Sequence, residues 1–248
     1  MLDIFFHWHI LFQQSVCKNN SKSNKKICIF KKNDYISYSC IYLLLWEMNL
    51  RELEKITKEL PCFSIQQIKL FEPDFLRWNL KNWHEKWYLD RITKWRYCFS
   101  SLPKLEENSY IISHSIYQPS YISMESALRY YNLIPEWVFI TTACSSKKTQ
   151  KFTWDRWTFY YYHIKPSLFR GYETKKTQYW SFYLATPEKL ICDFFYLKPN
   201  LKKSDIPELR IDFDLLYQLT TRENIESCAK KFNNKRLSNI ISDFISYK

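Results

Sequence analysis

The chain holds a single glycine, Gly171, among 248 residues, and ten tryptophans. Glycine is the residue that takes positive φ at no steric cost, so it normally fills tight turns and the position just past a helix C-terminus. A chain nearly without it must either avoid such backbone or force other residues into it. Tryptophans stand where the need is greatest. Trp87 follows Glu85-Lys86 between a predicted helix and strand, Trp95 lies between Lys94 and Arg96 at a predicted hairpin tip, and Trp157 follows Asp155-Arg156 at a predicted strand start. The expectation is that several of these positions are UGA codons, read as tryptophan in this translation and as glycine in the source cell.

The remaining composition is that of a globular chain, with 46% hydrophobic and 25% charged residues, enough for one large domain or two modest ones. Net charge is +12, a surplus that suits a polyanionic partner such as nucleic acid. The eight cysteines contain no C-x-x-C pair, so neither a zinc site nor a disulfide framework is expected. His7 and His9 form an H-x-H pair without further ligands nearby, and no metal or cofactor is anticipated. No stretch approaches the roughly 20 apolar residues that span a bilayer. Leu2 to Phe12 lacks a basic flank and carries Asp3 and two histidines, which makes a poor signal peptide. The reading is a cytoplasmic protein without a membrane partner.

Residues 1–47 form no coherent pattern. Lys18 to Lys32, rich in Lys, Asn and Ser, reads as linker or disorder, and Met48 reads as the true start after an over-extended reading frame. From Met48 the pattern sharpens. Leu50, Leu53, Ile56 and Leu60 recur at helical spacing up to Pro61. Ser64 and Gln67 form a capping box for a second helix with Ile65, Ile68 and Leu70 on its apolar face. After the turn Glu72-Pro73-Asp74 comes a third helix from Phe75 to about Lys86, predicted to bury Leu76, Leu80 and Trp83. Two short strands follow, Tyr88 to Thr93 and Tyr97 to Ser100.

Helix, helix, turn, helix and hairpin is the order of a winged helix-turn-helix, which predicts a DNA-binding domain over residues 48–100. Arg77, Asn79, Lys81 and Asn82 are expected on the outward face of the third helix, where such side chains suit base edges and phosphates. Arg91, Lys94 and Arg96 would place cations from the hairpin on the DNA backbone. The competing reading is a winged helix used only for protein contact.

Residues 101–248 read as a second, mixed unit. A helix is expected from Ser123 to about Tyr131, ended by Leu133-Ile134-Pro135. Val138 to Cys144 and Thr158 to Ile164 read as strands around a polar turn from Ser145 to Gln150, and Tyr179 to Leu184 as another strand. Thr186-Pro187-Glu188 has the form of a helix start, with an N-cap, Pro at N1 and an acid in the first turn. The tail is helical. The fold class is therefore α+β.

Four strings in this second unit carry a resemblance: Tyr121 to Leu128, Leu133 to Glu136, Tyr162 to Pro166, and Ala185 to Lys189 with Asp193. Their order and spacing resemble those of AbiEi-type antitoxins of abortive-infection, type IV toxin–antitoxin systems, over about residues 48–248. The resemblance implies a winged-helix head that binds promoter DNA and represses its own operon. It also implies a larger antitoxin domain that opposes a cognate nucleotidyltransferase-like toxin, and no enzymatic activity. Glu125, Pro135, Glu136, His163, Lys165, Pro187, Glu188, Lys189 and Asp193 are the motif residues it singles out. The family usually has glycine near Trp87, Trp95, Trp137 and Trp157, which agrees with the recoding expectation.

Other chemistries have thinner support. Asp155 with Glu173-Thr174-Lys175 loosely imitates a metal-dependent nuclease motif, but Glu173 reads as part of a solvated loop. Lys189 and Asp193 read as an i,i+4 pair on a helix. Phe159 to Tyr162 reads as one buried and one half-exposed face rather than a base-stacking platform. A stand-alone winged-helix regulator is the alternative function.

Overall fold

The computed structural model describes residues 16–19, 26–29 and 48–247, apart from 58, 59, 104, 155, 156, 178 and 179. It is a mixed α+β structure. In the N-terminal stretch read as linker, β1 (Val16–Asn19) pairs antiparallel with β2 (Lys26–Ile29). Each of these strands carries β-branched residues that favour extended backbone.

Residues 48–99 form a head of three helices and a hairpin: α1 (Leu50–Ile56), α2 (Ile65–Phe71), α3 (Arg77–Glu85), β3 (Leu89–Thr93) and β4 (Arg96–Phe99). Asn49 caps α1 through a box with Glu52, which the periodicity of the apolar residues did not announce. The predicted box of Ser64 and Gln67 caps α2. Leu53, Phe63, Ile68, Phe75, Leu80, Leu89 and Tyr97 share a core. A backbone bridge between Phe63 and Tyr97, with both N–H···O bonds at 2.9 Å, ties the α1–α2 linker to β4. Two expected core residues lie outside it, because Leu70 is 81% and Leu76 45% exposed. Leu76 sits at the α3 N-cap rather than inside the helix, so it does not share the inward stripe of Leu80.

The body begins with α4 (Glu106–Ile116) and centres on a six-stranded sheet. Its strands are β5 (Ser120–Ile122), β6 (Ile140–Ser145), β7 (Gln150–Trp154), β8 (Trp157–His163), β9 (Tyr172–Lys176) and β10 (Ser181–Ala185). Their spatial order is β7-β8-β6-β5-β10-β9. The inner pairs β6–β8 and β5–β10 are parallel and the others antiparallel. Helix α5 (Met124–Tyr130) follows β5 directly, α6 (Pro187–Leu197) follows β10, and α7 (Phe213–Leu219), α8 (Arg222–Lys230) and α9 (Lys235–Ser246) complete the chain. Phe159, Tyr161, Phe182, Leu184, Ile191, Phe195, Leu237 and Phe244 lie in one core between sheet and helices.

Of the two edge strands, β7 begins at Gln150, where the expected polar turn ended, and was not foreseen as a strand, while β9 contains Glu173, which was expected in a loop. Their side chains are mostly exposed and polar, as suits edges whose charges discourage further strand pairing. The head is not an isolated unit. Cys62, Ile92 and Cys98 belong to the body's core cluster, and the Cys62 thiol, hydrogen-bonded to Ser115 of α4, is pushed up to about 11 by burial. Among the described residues no helix is long and apolar enough to cross a membrane.

Candidate functional site

The exposed face of the head is built around Trp95. The Arg77 guanidinium lies 4.9 Å and the Lys94 ammonium 5.0 Å from the centre of its ring. Cation–π attraction of this kind contributes on the order of 0.5–1 kcal/mol at an exposed site. Its structural effect is larger, since it brings the first turn of α3 and the tip of the β3–β4 hairpin onto one surface. Lys81 is exposed on the same helix, one turn after Arg77, and pairs loosely with Glu85 at 3.7 Å. Trp78, 61% exposed, lies beside them and was not singled out from the sequence.

The other predicted contacts divide. Asn82 is half-buried and Arg91 exposed, the latter with its Nε 3.4 Å from Thr93 O. Arg96 donates to Gln67 Oε1 at 3.0 Å, so it braces the hairpin against the α2 cap as well as carrying charge. Asn79 is corrected. It is 5% exposed and faces inward beside Leu80, because helical periodicity puts position 79, four residues before Trp83, on the same stripe as Leu80 and Trp83. The outward set is Arg77, Trp78, Lys81 and Glu85.

In the body, two of the four motif strings meet at one buried carboxylate. Asp193 on α6 is fully buried, and Lys189 one turn earlier is 2% exposed. The two form an ion pair. Tyr121 and Ser123, from β5 and its junction with α5, donate hydroxyl hydrogens to Asp193 Oδ2 at 2.8 and 3.1 Å. Burial pushes the Asp193 carboxyl above its ordinary range, against the opposing pull of Lys189 and the two hydroxyls. The pairing of Lys189 with Asp193 was legible from sequence; its burial was not. The signal was present in the apolar run Leu190-Ile191-Cys192 and Phe194-Phe195, which surrounds the helix with hydrophobic positions.

Local backbone serves this network. Met124 has φ +58, which turns β5 straight into α5 and leaves Ser123 facing Asp193. The Ser123 hydroxyl is therefore not the α5 cap. Thr142 of β6 substitutes, accepting from the Ser126 N–H at 3.0 Å and donating to Ser123 O at 2.8 Å. At α6, Thr186 was expected as the side-chain cap, yet its hydroxyl lies 3.2 Å from Gly171 O and 2.7 Å from Glu188 Oε1.

The remaining motif residues are structural or exposed. Glu125 pairs with Lys198, and Glu136 pairs with Arg210 at 2.8 Å. Glu188 also receives Thr220 Oγ1 at 3.3 Å. His163 Nδ1 lies 2.9 Å from Lys147 O. Pro135 and Lys165 are exposed, and Pro187 occupies the first turn of α6. Of the nuclease-like set, Asp155 lies outside the described residues, and Glu173 and Lys175 pair with each other at 2.6 Å on an edge strand. Among the described residues no three His, Cys, Asp or Glu side chains gather as for a metal ion.

No model of a known protein family matches the chain, and a comparison with curated proteins finds no significant match.

Proposed function

We propose that the chain is a DNA-binding autorepressor and antitoxin, with a winged helix-turn-helix head over residues 48–100 and an antitoxin domain over residues 101–248. The observation that carries the DNA half is the placement of Arg77 at the start of the third helix and Lys94 at the hairpin tip on one exposed, cationic surface, with Lys81 a turn away; the Trp95 ring lies against both cations, and the helix and hairpin that carry them belong to the head whichever residue stands at 95. A recognition helix and a wing must share such a surface to engage a groove and its flanking phosphates together. The antitoxin half is supported by the resemblance alone. The meeting of two motif strings at Asp193 explains why those residues occur together, as a folding centre of the domain rather than as contacts to a partner.

A reporter placed behind the DNA upstream of the gene, with any nucleotidyltransferase-like gene that adjoins it supplied separately, tests both halves. The expected result is that Arg77→Ala with Lys81→Ala relieves repression of the reporter. Rescue of growth from the neighbouring product is expected to persist, because the two functions reside in different domains. Loss of both functions in a variant that still folds would contradict the division. Unchanged repression would remove the head from DNA recognition.

A further inference from the structure

The body carries a cleft of ≈ 260 Å³ that the proposed function does not use, between the Leu168–Gly171 segment, the start of α6 and one face of α8. We propose that it binds a small organic oxyanion, a metabolite bearing a phosphate or carboxylate. Its volume falls just below the roughly 300 Å³ at which drug-sized ligand sites begin, which restricts it to a small ligand. This inference does not rest on the DNA-binding or antitoxin reading.

Three cations carry the argument. Arg170 and Lys231 line the cleft from opposite elements, both exposed. Among the described residues neither forms an ion pair, whereas Lys175, Lys198, Lys203 and Arg210 are each held by an acid. Lys189 is the third, and it differs in kind. Its side chain is 3% exposed, and an ammonium has three hydrogens to donate. Among the described residues Asp193 Oδ1 is its one hydrogen-bond acceptor. The ammonium also lies over the Tyr121 and Phe232 rings, 5.5 and 4.7 Å from their centres, so Lys189 adds a buried positive charge to the lining, while Arg170 and Lys231 supply the accessible donors for an anion.

The apolar part of the lining suits an organic ligand. Phe232 and Leu168 are buried and border the cleft, and the Lys189 ammonium lies 4.7 Å from the centre of the Phe232 ring. Gly171 has a structural reason to be the chain's one glycine. It has φ +75, and a Cβ there would lie 3.2 Å from Lys189 Cγ and Cδ, crowding the lysine stem. The acid in the lining, Glu188, is engaged by Thr186 and Thr220 hydroxyls, which moderates its repulsion of an anion. Arginine recognises planar or tetrahedral oxyanions through paired N–H bonds, and lysine acts as a point charge.

The test titrates the full chain with inorganic phosphate, ribose 5-phosphate and acetate. Ribose and chloride at matched ionic strength serve as controls, and thermal unfolding and calorimetry as readouts. The expected result is saturable stabilisation by at least one oxyanion and none by ribose. Affinity should fall at least about tenfold in Arg170→Ala and in Lys231→Ala, and stay unchanged in Lys230→Ala, a neighbouring cation outside the cleft. A preference among the three probes separates phosphate from carboxylate ligands. Absence of a saturable response to every oxyanion, or the same response in the Arg170→Ala/Lys231→Ala double variant, would overturn the proposal.

Discussion

Replacing Asp193 with alanine is expected to lower the unfolding free energy by about 3–5 kcal/mol, the usual cost of removing one partner from a buried ion pair. The substitution leaves the Lys189 ammonium in a site where its side chain is 3% exposed. It also leaves the Tyr121 and Ser123 hydroxyls without their acceptor. Two segments about 70 residues apart in sequence, the end of β5 and helix α6, are deprived of their common anchor at once. Urea unfolding followed by circular dichroism, with the slope compared between variants, measures the effect. A second variant separates charge from packing. Lys189→Met together with Asp193→Leu fills the same space without charge and recovers the share due to the stranded ammonium. A loss below about 1 kcal/mol for Asp193→Ala would mean that the pair is solvated, and the described network would be wrong.

The second large effect concerns the tryptophans, whose four singled-out positions differ in their backbone. Trp87 has φ +62 and is 77% exposed. Its N–H reaches His84 O at 3.0 Å and the Tyr88 N–H reaches Trp83 O at 2.9 Å. These are the two bonds of a Schellman helix end with position 87 as its left-handed residue. After α5 the same pattern of bonds is closed by Asn132, φ +56, a residue that tolerates it. A tryptophan there costs about 1–2 kcal/mol, so Trp87→Gly is expected to raise Tm by a few degrees in a chain of this length.

Trp95 and Trp137 have no left-handed backbone, and glycine at either brings no such gain. Trp157 is 7% exposed, with its ring stacked on Phe159 at 6.5 Å. Removing that ring should cost about 3–5 kcal/mol. Gain at 87, neutrality or slight loss at 95 and 137, and a large loss at 157 is therefore the expected thermal-melt pattern. A gain at 157 would contradict the structure. The mass of the peptide spanning 87–91 from the source cell decides whether position 87 is glycine there.

How much was legible in the sequence follows from the range of the forces involved. The head's elements could be read because caps and periodicity act within one turn: Ser64 and Gln67 announce α2 by themselves. Inward and outward faces in helices of seven to nine residues were harder to read, since residue type and position disagree in α3: polar Asn79 lies on the inward stripe four residues before Trp83, and apolar Trp78 lies off it. Strands β7 and β9 were missed because edge strands need only one apolar neighbour and otherwise resemble loops. The Asp193 centre was half visible. The i,i+4 spacing showed the pair, but the acceptor role toward Tyr121 and Ser123 depends on a contact across about 70 residues of chain, to which no local pattern points.

The central claim is that the surface bracketed by Trp95 reads DNA. Fluorescence anisotropy of the full chain on the duplex upstream of its gene, beside a scrambled duplex and across a salt series, tests it most directly. The account predicts preference for the upstream duplex and affinity that falls linearly with salt on logarithmic axes. Arg77→Ala with Lys81→Ala should remove the preference. Lys94→Ala should leave the preference in place and lower the slope by about 0.9, the share of one phosphate that the lysine no longer neutralises. Equal, weak binding to both duplexes at every salt concentration, unmoved by these substitutions, would contradict it.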